Sequence, residues 1–103
     1  MNKIINQNIA LIDSYFRKSG DDSEKERLLS RVVKLNEEVG ELCEAVLHEN
    51  DTHQRNKEKE IDLDSELADV LICTLLIAHS RDKDIWEQVN QKLEKQLVKF
   101  NIT

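Results

Sequence analysis

The sequence has no proline and only two glycines, Gly20 and Gly40. It therefore has no fixed-φ breaks inside helices and little of the turn chemistry that hairpin-rich sheets require. The two cysteines, Cys43 and Cys73, lack the spacing of a metal knuckle and sit inside apolar helical patterns. They read as reduced core thiols of a cytoplasmic protein. No segment approaches the roughly 18 consecutive apolar residues of a membrane span. The stretch from Met1 to Phe16 interleaves Asn2, Asn6, Gln7, Asn8 and Asp13 among its apolar positions. It thus lacks the continuous apolar core of a signal peptide.

Charge is what the chain has in abundance, at 35% of residues, and such a composition favours helices with solvated outer faces. An all-α fold is the expectation. A net charge of −6 and a pI near 5.0 set the chain against a nucleic-acid polymer or an anionic membrane as partner. A polyphosphate ligand needs a cation to mediate. At 103 residues the chain fits one domain, taken as 1–103, which buries roughly 60–70% of the surface its unfolded form exposes.

Periodicity predicts four helices. Ile5, Ile9, Ile12 and Phe16 place the first over about Lys3 to Lys18, with Gly20 as its stop. Ser23 and Glu26 form a capping box before the second, which the series Leu28, Val32, Leu35, Val39, Leu42, Val46 carries to about Glu49. The polar stretch from Asn50 to Lys59 reads as a loop. Asp62 or Asp64 caps the third helix, which continues to about His79. Asp84 with Glu87 opens the fourth as another capping box, followed by Ile85, Val89, Leu93, Leu97 and Phe100. Short connections between helices predict a bundle.

The carboxylates of the second and third helices stand out. Glu37, Glu38, Glu41 and Glu44 crowd about two turns, and like charges three or four apart destabilise a helix by a few tenths of a kcal/mol per pair. Something should offset that repulsion. Gly40 costs roughly another 1 kcal/mol in the same helix, which close approach of a helix or a ligand would justify. From Leu67 to Ala78 the third helix is apolar around nearly its whole circumference, yet it contains Asp69, with Glu66 one turn earlier. A buried aspartate is expensive unless paired or bound to metal. Two carboxylate couples on two helices suit Mg²⁺, which is hard, octahedral and oxygen-seeking, and which commonly bridges carboxylates to substrate phosphates. Such an ion neutralises a triphosphate and lowers the pKa of a bound water, while a further carboxylate orients that water.

The array Glu37-Glu38-x-x-Glu41 followed by Glu66-x-x-Asp69 resembles the EExxE and ExxD motifs of the all-α nucleotide pyrophosphohydrolase superfamily. The flanks KLNEEVGEL and ELADVL are similar to those of its MazG-like members, and the resemblance runs from about Arg31 to Lys99. It implies a four-helix, bundle-like domain that converts (deoxy)nucleoside triphosphates to monophosphates and pyrophosphate. It further implies Mg²⁺, with Mn²⁺ as substitute, ligated by Glu38, Glu41, Glu66 and Asp69. Glu37 and Glu38 would serve catalysis, Glu37 by positioning the water that attacks the α-phosphate. Asn90, Lys92 and Lys95 fall where the family places phosphate-binding side chains, although Gln96 stands where related sequences often have another basic residue. Phosphoribosyl-ATP pyrophosphohydrolase, a relative with similar motifs, typically has a histidine shortly after its ExxD aspartate, and here Val70 to Thr74 contain none.

Blander readings stand beside these. The glutamates of the second helix match a solvated face, and Glu66 suits the positive end of the third. His48, His53 and His79 read as surface residues, and Trp86 as core or interface. The carboxylates of a non-catalytic helical nucleotide- or metal-binding module, or of a protein-interaction module, would look the same. Few aromatics are available for a discriminating base pocket, so broad specificity is expected. The third helix is too apolar for one small bundle to cover, which predicts a homodimer or homotetramer.

Overall fold

The computed structural model describes residues 2–50 and 62–102. Four helices account for nearly all of them: α1 (Asn2–Lys18), α2 (Glu24–Asn50), α3 (Leu63–Ser80) and α4 (Ile85–Lys99). No strand occurs among the described residues. The fold is all-α, in the helix order that periodicity predicts. The polar stretch expected to be a loop lies outside the described residues from position 51 onward, as does His53; Asn50 itself is the last residue of α2.

Local chemistry explains the helix ends. The Glu26 N–H donates to Ser23 Oγ at 3.2 Å and the Ser23 N–H donates to the Glu26 carboxylate at 3.3 Å, which completes the expected capping box. Asp62 rather than Asp64 caps α3, accepting from the Asp64 N–H at 3.0 Å. Asp84 caps α4 by accepting from Trp86 and Glu87, but the Glu87 carboxylate accepts instead from Gln91 Nε2, so only half of that box forms. The shortage of glycine shows at the C-termini. Asp82 (φ 54°) and Asn101 (φ 58°) take the left-handed conformation after α3 and α4, the two residue types besides glycine that tolerate it best. Gly20 does not adopt a positive φ, and Ser19 Oγ donates to the Phe16 carbonyl at the end of α1 instead.

The main packing is α2 against α3, with α1 laid on α3. Glu38 meets the start of α3, whereas Arg31, earlier on α2, donates to the Leu76 carbonyl near its end, so the two helices run antiparallel. The face of α2 turned inward carries Arg31, Leu35, Glu38, Leu42 and Ala45, a spacing of four and three. The predicted apolar series is thus split. Leu28, Leu35 and Leu42 are half-buried, while Val32, Val39 and Val46 lie on the exposed flank, because Glu38 occupies the seam. Cys73 is half-buried, but Cys43 is exposed, against the expectation of a core thiol: the same rotation of α2 turns its position outward.

A small core of Ile9, Leu75 and Leu76 is flanked by Ile5, Ile85 and Trp86, and Trp86 Nε1 donates to Asn6 Oδ1 at 3.1 Å. Trp86 therefore packs, as expected of it. Through this first turn α4 joins the rest of the chain; beyond it, Val89, Leu93 and Phe100 are exposed, as are Leu67, Leu71 and Ile72 of α3. The Cα radius of gyration is 17.0 Å, against about 13 Å for a compact chain of this length. A Cβ at Gly40 would meet nothing within 4 Å, so among the described residues no helix makes the close approach that, for a helix or a ligand, would justify this glycine.

Candidate metal centre

Glu38 reaches the site from the middle of α2 and Glu66 and Asp69 from the first turns of α3, where the Asp62 cap fixes their register. One carboxylate oxygen from each lies within 4.8 Å of the other two. Glu38 is buried, and Glu66 and Asp69 are half-buried. One oxygen of Glu38 accepts from the Lys34 ammonium at 3.2 Å. The other, Oε2, is buried without a hydrogen-bond partner, and so is Oε2 of Glu66. Two orphaned carboxylate oxygens beside a third acid are costly to bury, and a bound cation would relieve all three. Their spread is little more than twice the roughly 2.1 Å of a Mg²⁺–oxygen bond, and the all-oxygen donor set suits a hard divalent ion. The residues therefore fit such an ion.

The other expected ligand, Glu41, is exposed one turn further along α2. A hydrogen bond to the Glu38 carboxyl, reinforced by repulsion from the same group, raises its pKa above the ordinary value. It borders the converging three. Glu37 is not among the converging three: it is exposed, and its carboxylate lies 3.7 Å from the same Lys34 ammonium that pairs with Glu38. The α4 residues are not brought to the carboxylates within one chain. Asn90, Lys92 and Lys95 are exposed, Asn90 donates to Glu94 at 3.2 Å, and α4 does not form a packed pair with α2.

Sequence reasoning missed a cleft of about 250 Å³ lined by Asp22, Arg27, Ser30, Arg31 and Lys34 with Phe16, Cys73 and Leu76, in which Arg27 donates to the Asp22 carbonyl. It borders the carboxylates, since Lys34 belongs to both, and Cys73 is close enough to feel Glu38. Burial, followed by repulsion from Glu38, pushes the Cys73 thiol above its ordinary pKa, so it is not an activated nucleophile. The overlooked signal is the series Arg27, Arg31, Lys34, Glu38, which at helical spacing puts three cations on the face of α2 that carries the buried acid. Arg31 is already committed. It pairs with Asp13 of α1 and donates to the Leu76 carbonyl at 3.0 Å, tying three helices together.

No described helix is long and apolar enough to cross a membrane. No curated protein and no solved structure matches the chain significantly. A family model does, over residues 26–100: that of the MazG nucleotide pyrophosphohydrolase domain. Because the matched span takes in the three helices that carry the acids and their neighbours, leaving out only α1 and the chain end, the chain belongs to the MazG nucleotide pyrophosphohydrolase domain family.

Proposed function

We propose that this chain is a Mg²⁺-dependent hydrolase that converts nucleoside triphosphates, ribose or deoxyribose, to monophosphates and pyrophosphate. The observation that carries the reading is the unpartnered, buried Oε2 of Glu38 at the meeting point of three acids. Glu38, Glu66 and Asp69 hold the ion, with Glu41 completing the set, and Mn²⁺ substitutes for Mg²⁺. When bound, the ion supplies charge neutralisation at the phosphates and a water of lowered pKa. Glu37, exposed beside Glu38, orients that water and accepts its proton. The domain comprises residues 1–103 and acts in the cytoplasm. It functions as a homodimer or homotetramer, in which α4 of a second copy brings Asn90, Lys92 and Lys95 toward the phosphates.

One observation favours a second reading, a non-catalytic metal- or nucleotide-binding module: Glu37 and the α4 side chains do not converge on the carboxylates within one chain. Pyrophosphate release from a panel of canonical and modified triphosphates, with and without Mg²⁺, separates the two. Turnover should require Mg²⁺ and fall more than about a hundredfold in Glu38→Gln and in Asp69→Asn with helicity retained, since losing even a group behind a metal ligand costs ten- to a hundredfold. A folded protein whose melting temperature rises with Mg²⁺ but which turns over no triphosphate would establish the second reading.

A further inference from the structure

We infer that Lys34 is a resident counter-ion that changes partners: it neutralises Glu38 while the site lacks metal, and turns into the adjoining cleft to hold phosphate once a divalent ion arrives. The inference rests on the metal-dependent reading above and assigns the part of the site that holds the phosphates. Four observations support it. The Lys34 ammonium is shared, 3.2 Å from Glu38 and 3.7 Å from Glu37, and the second oxygen of Glu38 has no partner, so the buried acid is only half neutralised. Lys34 also lines the cleft of about 250 Å³, one turn along α2 from Ser30. Its side chain is 59% exposed, and four rotatable bonds let the ammonium move between two partners without unfolding anything. The other cations of the cleft are committed, Arg31 to Asp13 and the Leu76 carbonyl and Arg27 to the Asp22 carbonyl, which leaves Lys34 as the one able to turn to a ligand.

The electrostatics give the movement its direction. A divalent ion among three carboxylates takes over the neutralisation of Glu38 and repels a nearby ammonium. A phosphate chain reaching from that ion along α2 then meets the Lys34 ammonium over a floor formed by Cys73 and Leu76. Phosphate recognition is thereby built partly into the same helix as the metal ligand, independent of α4. The arrangement also makes Lys34 a competitor of the metal in the absence of ligand.

Calorimetric titration of the full chain tests this with two probes, Mg²⁺ alone and inorganic pyrophosphate at saturating Mg²⁺. Lys34→Met should bind Mg²⁺ alone about two- to fivefold more tightly, because the exposed competing ion pair is gone. It should bind pyrophosphate about three- to tenfold more weakly, as a charge-assisted contact is lost. Arg27→Gln, at a residue of the same cleft already bound to the Asp22 carbonyl, should leave both affinities unchanged. A merely structural lysine would not move the two affinities in opposite directions. If wild type binds both probes and Lys34→Met shows unchanged or weakened Mg²⁺ affinity, or unchanged pyrophosphate affinity, Lys34 does not change partners, while the metal-site reading stands. If wild type binds no Mg²⁺ at all, the metal-site reading fails and takes this inference with it.

Discussion

Asp13 is the residue on which the helix arrangement most depends. Only 4% exposed, it receives Arg31 from α2, Arg17 from its own helix at 2.9 Å, and stands 3.4 Å from His79 Nε2 on α3. Burial pushes its carboxyl pKa up, but the hydrogen bonds and charges of Arg31 and Arg17 outweigh that and hold it below the ordinary 3.8. The stability Asp13 contributes is therefore fully present above its unfolded pKa and is lost as the pH falls below about 4 through the depressed folded value. Asp13→Asn keeps the shape and strands a largely buried Arg31, so it should cost about 3 kcal/mol at neutral pH in urea titrations. The same titrations repeated at pH 3 should show a smaller difference between variant and wild type. An equal difference at both pH values would mean that the carboxylate charge contributes nothing. In the sequence Asp13 is only one polar residue among several in α1. Its partners lie on other helices, so nothing in the local pattern marks it.

Helix α2 carries Glu38 and the lysine paired with it, and its start is fixed by chemistry that is local in sequence. The reciprocal Ser23–Glu26 bonds form within four consecutive residues, and the bond to Ser23 also lowers the Glu26 pKa. Ser23→Ala should destabilise the protein by about 1 kcal/mol, seen as a lower urea midpoint with an unchanged slope. An unchanged midpoint would mean that the first turn of α2 frays without consequence. The helix starts were legible because a cap is a matter of three or four residues. The rotation of α2 was not. Its valine series and its Glu38–Ala45 line are both plausible seams at heptad spacing, and only packing against α3 turned the second inward. The same rotation exposes Cys43 and carries Glu38 into contact with Glu66 and Asp69.

At the scale of the molecule, a single copy leaves much apolar surface uncovered. Ile4, Leu11 and Tyr15 of α1, Leu67 and Leu71 of α3, and Val89 and Leu93 of α4 are all about half exposed or more, apart from Val89 at 44%. Burying such faces at about 25 cal/mol per Å² is the strongest driving force open to a chain with so small a core. Light scattering at micromolar concentration should give at least twice the 12.0 kDa chain mass, and the melting temperature should fall on dilution. A 12.0 kDa particle with a concentration-independent melting temperature would show that the chain is stable alone.

By itself the sequence determined the all-α class, the four helices with most of their caps, and the carboxylate motifs that mark the family. All of these depend on residues a few positions apart, where periodicity, capping and motif spacing are read directly. Tertiary structure decided which of these acids meet. Glu38, Glu66 and Asp69 converge, Glu41 borders them, Glu37 faces solvent, and the α4 side chains stay apart within one chain. It also disclosed the Asp13–Arg31 tie and the cleft that Lys34 lines beside Glu38. The physical reason is the same for each: convergence depends on the rotation and crossing of helices joined by segments that fix neither, and those are set by the packing of side chains far apart in the chain.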